Sequence, residues 1–357
     1  MRPYLNNIVA FSAHLCIGVL AGSLICSKLA SPHIASAISC ALLGILFILI
    51  CLQRNNKQLF ICRLALTVLG FFCYVASELS GPIMQEELFG ELKIWLESTL
   101  TDEFSEECSS ILKALLCGDK TSLSKSVIQA FRESGASHIL ALSGMHLGII
   151  YAILHLCLMP LGNSKVAEIA RNTTIIACCW VYCLAMGAGP SLVRAWIFVS
   201  VNEICKLVPE RKNNAATLCA GALCIQLIFN PQNINNIGFQ LSYLAVIGII
   251  VIYPHLRDLY PQRKGFKGIM YRIWEGAALS ISCQISTAAL VYHSFGTLPS
   301  HFMLTNILSL PLTSLLMISA VAYIALSSIG LCPEILKSLC ETLAKALISC
   351  MEIISSM

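Results

Sequence analysis

The feature that most constrains this chain is how far apart its charges stand. Segments of roughly 16–29 mostly apolar residues follow one another at about 8–27, 34–52, 59–77, 137–159, 172–188, 191–208, 214–229, 237–254, 274–293 and 301–329. About 20 such residues cross a bilayer as one helix. Only 12% of the 357 residues are charged and 57% are hydrophobic, whereas a soluble domain carries about 25% charged residues. A chain of this pattern cannot hide its apolar surface in one aqueous core. The expected fold class is an all-α polytopic integral membrane protein with about 10–11 transmembrane helices. The eleventh candidate, 335–355, mixes Lys337, Glu341, Lys345 and Glu352 with apolar residues, so it either spans or lies along the interface. The first 27 residues imitate a signal peptide, but further apolar segments follow at once, and 8–27 is read as a retained span.

Lysine and arginine placement sets the orientation. With the N-terminus in the cytoplasm, the inner loops hold 14 Lys/Arg and the outer loops 6. The stretch 79–135 is then an outer (periplasmic) segment carrying 10 of the 19 acidic residues. Leu88, Leu92, Trp95 and Leu96 form one helical stripe in it, and Leu123, Val127, Ile128 and Phe131 a second. These predict amphipathic helices resting on the outer surface or on neighbouring spans, the second capped by Thr121 or Ser122. The segment is flanked by a three-helix N-terminal part (1–78), a membrane domain (136–330) and the C-terminal hydrophobic or amphipathic helix (331–357).

Most of the 19 cysteines lie in apolar segments and act there as small hydrophobes. Cys108 and Cys117 stand in the hydrophilic stretch, where a disulfide between them is left open. The Cys and His spacings suit no metal site, and no cofactor is expected.

Polar groups inside spans point to function, because in lipid each must be paired or face a cavity. SHILALSGMHLG at 137–148 puts His138, Ser143 and His146 on one expected helix. Ser143 and His146 share a face, and Gly144 and Gly148 form a GxxxG pair for close helix packing. A Ser–His nucleophile there has no acidic orienter nearby. In GPSLVRAW (189–196), Gly189 and Pro190 suit a tight connection, and Arg194 either snorkels to the surface or faces a polar path and binds phosphate. GFQLSYLAVIGI (238–249) carries Gln240 and Ser242, for which polar packing between helices is the common explanation. QISTAALVYHSFGTLP (284–299) and NILSLPL (306–312) bring Gln284, Asn306 and Pro311, and the last helix is expected to kink or break.

These motifs, in this order, resemble those of the ComEC-type competence proteins. LKALLCGDKTSLSK at 112–125 looks like that family's lead-in and SHILALSGMHLG like its signature, followed by GPSLVRAW, GFQLSYLAVIGI and the Gln284–Pro311 pair of motifs, across about residues 110–330. Met145 stands where the family usually has leucine. The outer segment is too short and of the wrong period for the OB-like module many members carry, and no His-x-His-x-Asp-His string of a metallo-β-lactamase-like domain occurs.

The resemblance implies a non-enzymatic channel in the bacterial cytoplasmic (inner) membrane, passing single-stranded DNA inward during natural transformation. The path candidates are His138, Ser143, His146, Arg194, Gln240, Ser242, Gln284 and Asn306, with Gly144, Gly148, Pro190 and Pro311 shaping the packing. Trp196, Tyr243 and Tyr292 lie near them in sequence. The implied partners are the strand, the bilayer, a separate DNA receptor, a cytoplasmic helicase or single-strand-binding protein, and further copies of this chain. A secondary transporter of a small metabolite and a degenerate core without uptake are the alternatives.

Overall fold

Serine caps start several of the helices. In the computed structural model, Ser105, Ser124, Ser143 and Ser164 each accept a backbone N–H of the helix that follows, which satisfies one of its four orphan donors. The structure describes residues 12–24, 67–71, 74, 90–162, 164–207, 215–260, 266–296, 298, 301–331 and 333–357. Among them there is no strand. The expected span 34–52, most of 59–77 and the stripe position Leu88 lie outside the described residues.

The helices are α1 (Ser12–Leu24), α2 (Gly90–Glu103), α3 (Glu106–Leu116), α4 (Lys125–Glu133), α5 (Gly144–Leu158), α6 (Lys165–Ala185), α7 (Pro190–Lys206), α8 (Ala215–Phe229), α9 (Ile237–Val251), α10 (Tyr253–Arg257), α11 (Phe266–Phe295), α12 (Phe302–Ser327) and α13 (Glu334–Ser355). Two are long and apolar enough to cross a membrane by length and composition: Gly144–Leu161, which is α5 with the 3₁₀ turn after it, and α12. α1, most of α8 and α9 are shorter apolar helices.

The chain divides into two compact units, Met1–Glu86 with Val208–Tyr243, and Glu87–Leu207 with Leu244–Met357. In the first, α1 meets the helical stretch 67–71 at closest approach. A Cβ on Gly18 would run into Thr67 O, and one on Gly70 into Leu15 O. Only glycine admits that contact. Asn235 ties this unit together by donating to Tyr74 Oη at 2.9 Å and accepting from Ser23 Oγ at 3.0 Å.

The second unit is built around α3. From Cys108 to Cys117 every residue of this helix and its C-cap is buried except half-buried Lys113. Leu316, Met317 and Tyr323 of α12 close over it, as does the stripe Cys340, Ala344, Leu347, Ile348 and Met351 of α13, and Phe131 of α4 belongs to the same buried cluster. Tyr182 of α6 donates to Leu116 O at 2.7 Å. Tyr323 donates to Glu103 at 2.6 Å and its ring lies against Phe104. Thr305, at the other end of α12, donates to Ser134 O at 2.6 Å. Thr305 and Tyr323 are 18 residues apart in one helix, roughly 27 Å at 1.5 Å per residue. The segment 103–134 therefore runs along most of a helix long enough to cross a membrane.

Of the two expected placements, on a surface or on neighbouring helices, the packing follows the second for most of both stripes. Leu96 of the first stripe and Leu123, Val127 and Phe131 of the second pack with Leu100 and the buried residues of α3, while Leu92, Trp95 and Ile128 are exposed. Helix α4 is capped by Ser124 instead of Thr121 or Ser122, because Thr121 is engaged in a turn on Asp119. Cys108 and Cys117 are free thiols. They sit nine residues apart along α3 and its cap, roughly 13 Å in a helix, beyond the Cα separation of about 4.4–6.8 Å a disulfide needs.

α13 is amphipathic, with its apolar stripe buried on α3, α4 and α12 and Lys345, Glu352 and Ile353 facing out. Ser105 binds Glu341 on it through both N–H (2.8 Å) and Oγ. α12 does not break at Pro311.

Candidate functional site

The signature motif is split by a helix start. Residues 136–143 are turns and irregular backbone, and α5 begins at Gly144. Ser143 sits at φ −135°, ψ 175° as the N-cap, and its Oγ accepts from Met145 N–H at 3.3 Å. His146, one turn on, is fully buried. Its Nδ1 accepts the Ser143 N–H at 3.1 Å and lies 2.9 Å from Ser143 Oγ. The pair is a capping box built with histidine where glutamate or glutamine is usual. With Nδ1 accepting, the neutral ring carries its proton on Nε2. Nε2 is enclosed within the packing. The Nδ1 lone pair that a serine nucleophile would need is thus shared with that serine's own amide, and among the described residues no carboxylate hydrogen-bonds the ring.

His138 does not join them on a helix, as expected from sequence. It is exposed in the turn before α5, with Nδ1 3.0 Å from Gly135 O. The cause is Ser143, whose extended backbone ends the irregular stretch and starts the helix.

Arg194 comes to this motif from α7. Pro190 opens α7 at its first helical position, after the N-cap Gly189, where proline's missing N–H costs nothing. A Cβ on Gly144 would lie 3.4 Å from Ala195 Cβ and 3.8 Å from Arg194 Nη2. The two motifs thus meet at Gly144, at ordinary contact distance. Arg194 is 9% exposed, so it does not snorkel. Gly148 has nothing within 4 Å of its Cβ position; of the GxxxG pair, only its first member packs among the described residues.

A second polar seam joins α11 and α12. Asn306 Nδ2 donates to Ser280 Oγ at 3.3 Å, and its Oδ1 is buried without a partner. Gln284 follows Ser280 by one turn on α11 and is half-buried. α9 approaches α11 here, since a Cβ on Gly248 would lie 2.6 Å from Ser282 O.

Gln240 and Ser242 belong to the first unit. Gln240 Nε2 donates to Ile234 O at 2.7 Å and so ties α9 to the 3₁₀ turn before it. Ser242 is half-buried. The neighbouring aromatics pack. Trp196 stacks on Trp180 with centroids 4.1 Å apart, and Tyr243 donates to Gln226 at 2.6 Å. Tyr292 is exposed.

Sequence reading missed one cluster. Glu203 of α7 is fully buried. Its Oε1 receives Tyr151 Oη of α5 at 2.7 Å, Lys206 Nζ at 2.6 Å and Asn202 Nδ2 at 3.2 Å. Asn172 of α6 donates to the Glu203 carbonyl at 3.1 Å. The signal was present: an Asn-Glu pair inside an apolar segment. No group of three or more metal-ligating side chains gathers among the described residues.

Apolar helices that bury a guanidinium, an imidazole, amides and a carboxylate against one another define an all-α class of protein whose polar chemistry lies between helices. The chain belongs to the Competence protein family, whose model matches residues 115–357, from the last turn of α3 through α13. The resemblance carried by the motifs is borne out. The chain is also similar to ComE operon protein 3 of Bacillus subtilis (strain 168), at 30% identity over 147 residues. That match covers 41% of this chain and 18% of the relative, so the chain spans only a small part of that protein's length. No solved structure matches it.

Proposed function

We propose that this chain is the membrane core of a DNA-uptake apparatus, a multi-pass channel in the bacterial inner membrane that passes single-stranded DNA into the cytoplasm. The observation that carries the reading is the meeting of two family motifs 50 residues apart in sequence, Ser143–His146 and Arg194, with the guanidinium buried beside Gly144. A polyanion crossing an apolar layer needs fixed cationic and amide donors. Arginine offers them in a planar fork suited to phosphate oxygens. Asn306 and Gln284 supply amide donors on a second helix pair. A separate receptor delivers the strand outside, and a helicase or single-strand-binding protein takes it up inside.

The test is uptake of labelled DNA into the cytoplasm of a deletion strain complemented with wild type, Arg194→Ala or Arg194→Lys. The expected result is rescue by wild type, loss with Arg194→Ala at normal membrane abundance, and partial rescue by Arg194→Lys. Undiminished uptake in the deletion strain would sink the proposal.

A further inference from the structure

The acidic segment before the signature motif holds a hairpin whose two ends lie at opposite ends of α12. α2 and α3 pack against each other and are joined by Phe104 and Ser105. They run antiparallel, since Lys93 and Glu97 of α2 lie within electrostatic reach of Cys117, which caps the far end of α3. At the turn, Tyr323 donates to Glu103 and packs on Phe104, and Cys108 is close to Cys340 and Glu341. At the open end, Leu116 O receives Tyr182 and Gly118 faces Leu142. Ser134, where the segment leaves, receives Thr305.

Charge placement orients α12. The stretch 255–272, in which α11 begins, holds five Lys/Arg, and the connection 294–300 between α11 and α12 holds none. Basic loops stay in the cytoplasm, so α12 runs from the outer face near Thr305 to the inner face near Tyr323. We propose that α2–α3 is a re-entrant hairpin: it enters the bundle from the outer face, turns at Phe104–Ser105 by the cytoplasmic end of α12, and returns outward. A segment whose place in the sequence puts it outside thus opens to the cytoplasm at its tip. The proposal rests on the membrane-core reading above.

Backbone that leaves helical geometry at membrane depth is tolerated where protein or water satisfies it. The turn meets that condition. The Ser105 N–H donates to Glu341 at 2.8 Å, and Ser105 Oγ bonds the other oxygen of that carboxylate while accepting the Cys108 N–H. Inside the hairpin, Leu100, Ile111, Leu112 and Leu115 are fully buried. At the turn, Asp102, Glu106 and Glu107 stand exposed. Exposed carboxylates are costly in lipid, and the water nearest the Tyr323 end of α12 is the cytoplasm. A rim of carboxylates repels a polyanion, so on the channel reading the strand leaves the bundle away from this tip.

The experiment labels cysteines of the full chain in its membrane with a membrane-impermeant maleimide. The reagent is applied to spheroplasts for the outer face and to inside-out vesicles for the inner face, and the label is located by mass spectrometry of tryptic peptides. Glu106→Cys and Asp102→Cys probe the tip, and Lys120→Cys the open end; all three positions are exposed. Buried Cys108 and Cys117 fall in the same peptides, and their lack of label marks each variant as folded. The tip cysteines should label from the inner face and not from the outer one, and Lys120→Cys the reverse. Tip cysteines that label from the outer face, as a hairpin resting on the outer surface would, overturn the proposal, and so does Lys120→Cys labelling from the inner face. None of these readouts involves DNA, so they stand apart from the uptake test. If the labels fall as expected and the deletion strain takes up DNA undiminished, the hairpin stands and the channel reading falls.

Discussion

If α3 is the centre of the second unit and not a surface helix, shaving one of its leucines must be expensive. Leu115 is fully buried. Leu115→Ala removes three side-chain carbons from a site enclosed by several helices, where collapse is hindered. Leucine-to-alanine changes in such sites cost about 3 kcal/mol, within a range of roughly 2–5. At 1.4 kcal/mol per factor of ten, that is about a hundredfold change in the folded-to-unfolded ratio. Ile94 on α2 is 67% exposed, and Ile94→Ala should stay within about 0.5 kcal/mol of wild type. The assay is reversible unfolding in mixed micelles by increasing sodium dodecyl sulfate, followed by tryptophan fluorescence. The stacked Trp180–Trp196 pair sits on α6 and α7, and α6 is tied to α3 through Tyr182, so the pair reports on this unit. A Leu115→Ala midpoint indistinguishable from that of Ile94→Ala would refute the core placement and restore a helix lying on a surface.

Three further outcomes follow from local geometry. Gly118 has φ +74°, and a Cβ there would lie 2.8 Å from Leu142 Cδ1; Gly118→Ala should destabilise by roughly 1–3 kcal/mol in the same unfolding assay, whereas Gly148→Ala, open on its Cβ side, should be neutral or stabilising. Ser143→Ala removes the cap of α5 and should cost about 1 kcal/mol, with Ser143→Thr recovering most of it; equal losses for both would argue for a role of the hydroxyl beyond capping. Burial alone would raise the Asp119 carboxyl, but the hydrogen bonds from the Thr121 amide and hydroxyl hold it below the usual carboxylate range. A depressed carboxyl stabilises the fold above its unfolded-state value, near 3.9, and the contribution is lost as pH falls through the folded value. Wild type and Thr121→Val should therefore differ at neutral pH and converge in acid.

What could be read without coordinates was what periodicity and charge control. The helical class, the apolar helix near 144–161, the helix over 302–327 and the family all follow from apolar runs and ordered motifs. Three readings failed for identifiable reasons. α3 was passed over because its buried surface is built partly from small residues, Cys108, Ser109, Ser110 and Ala114, which permit close approach without making a hydrophobic stripe. His138 was drawn into a helix because nothing in a run of apolar letters marks Ser143 as a start until its backbone is seen to be extended. Gly144 and Gly148 carry the same sequence signal, yet among the described residues only Gly144 faces a neighbour, while the tighter approaches, Gly18 to Thr67 and Gly70 to Leu15, join segments far apart in the chain. Within the candidate site, the types were legible and the company they keep was not. Glu203 shows this most clearly, because its partners come from three helices.

The placement of α3 also dictates when the protein can finish assembling. Glu103 and Ser105 find their partners in Tyr323 and Glu341, 220 and 236 residues later. A ribosome delivering this chain produces α3 long before the two helices that enclose it. Seven helices, α5 to α11, are made while α2–α4 wait with an apolar surface uncovered. A chain stopped before α12 would leave α3 without its cover, so the last two helices act as the seal that closes the second unit.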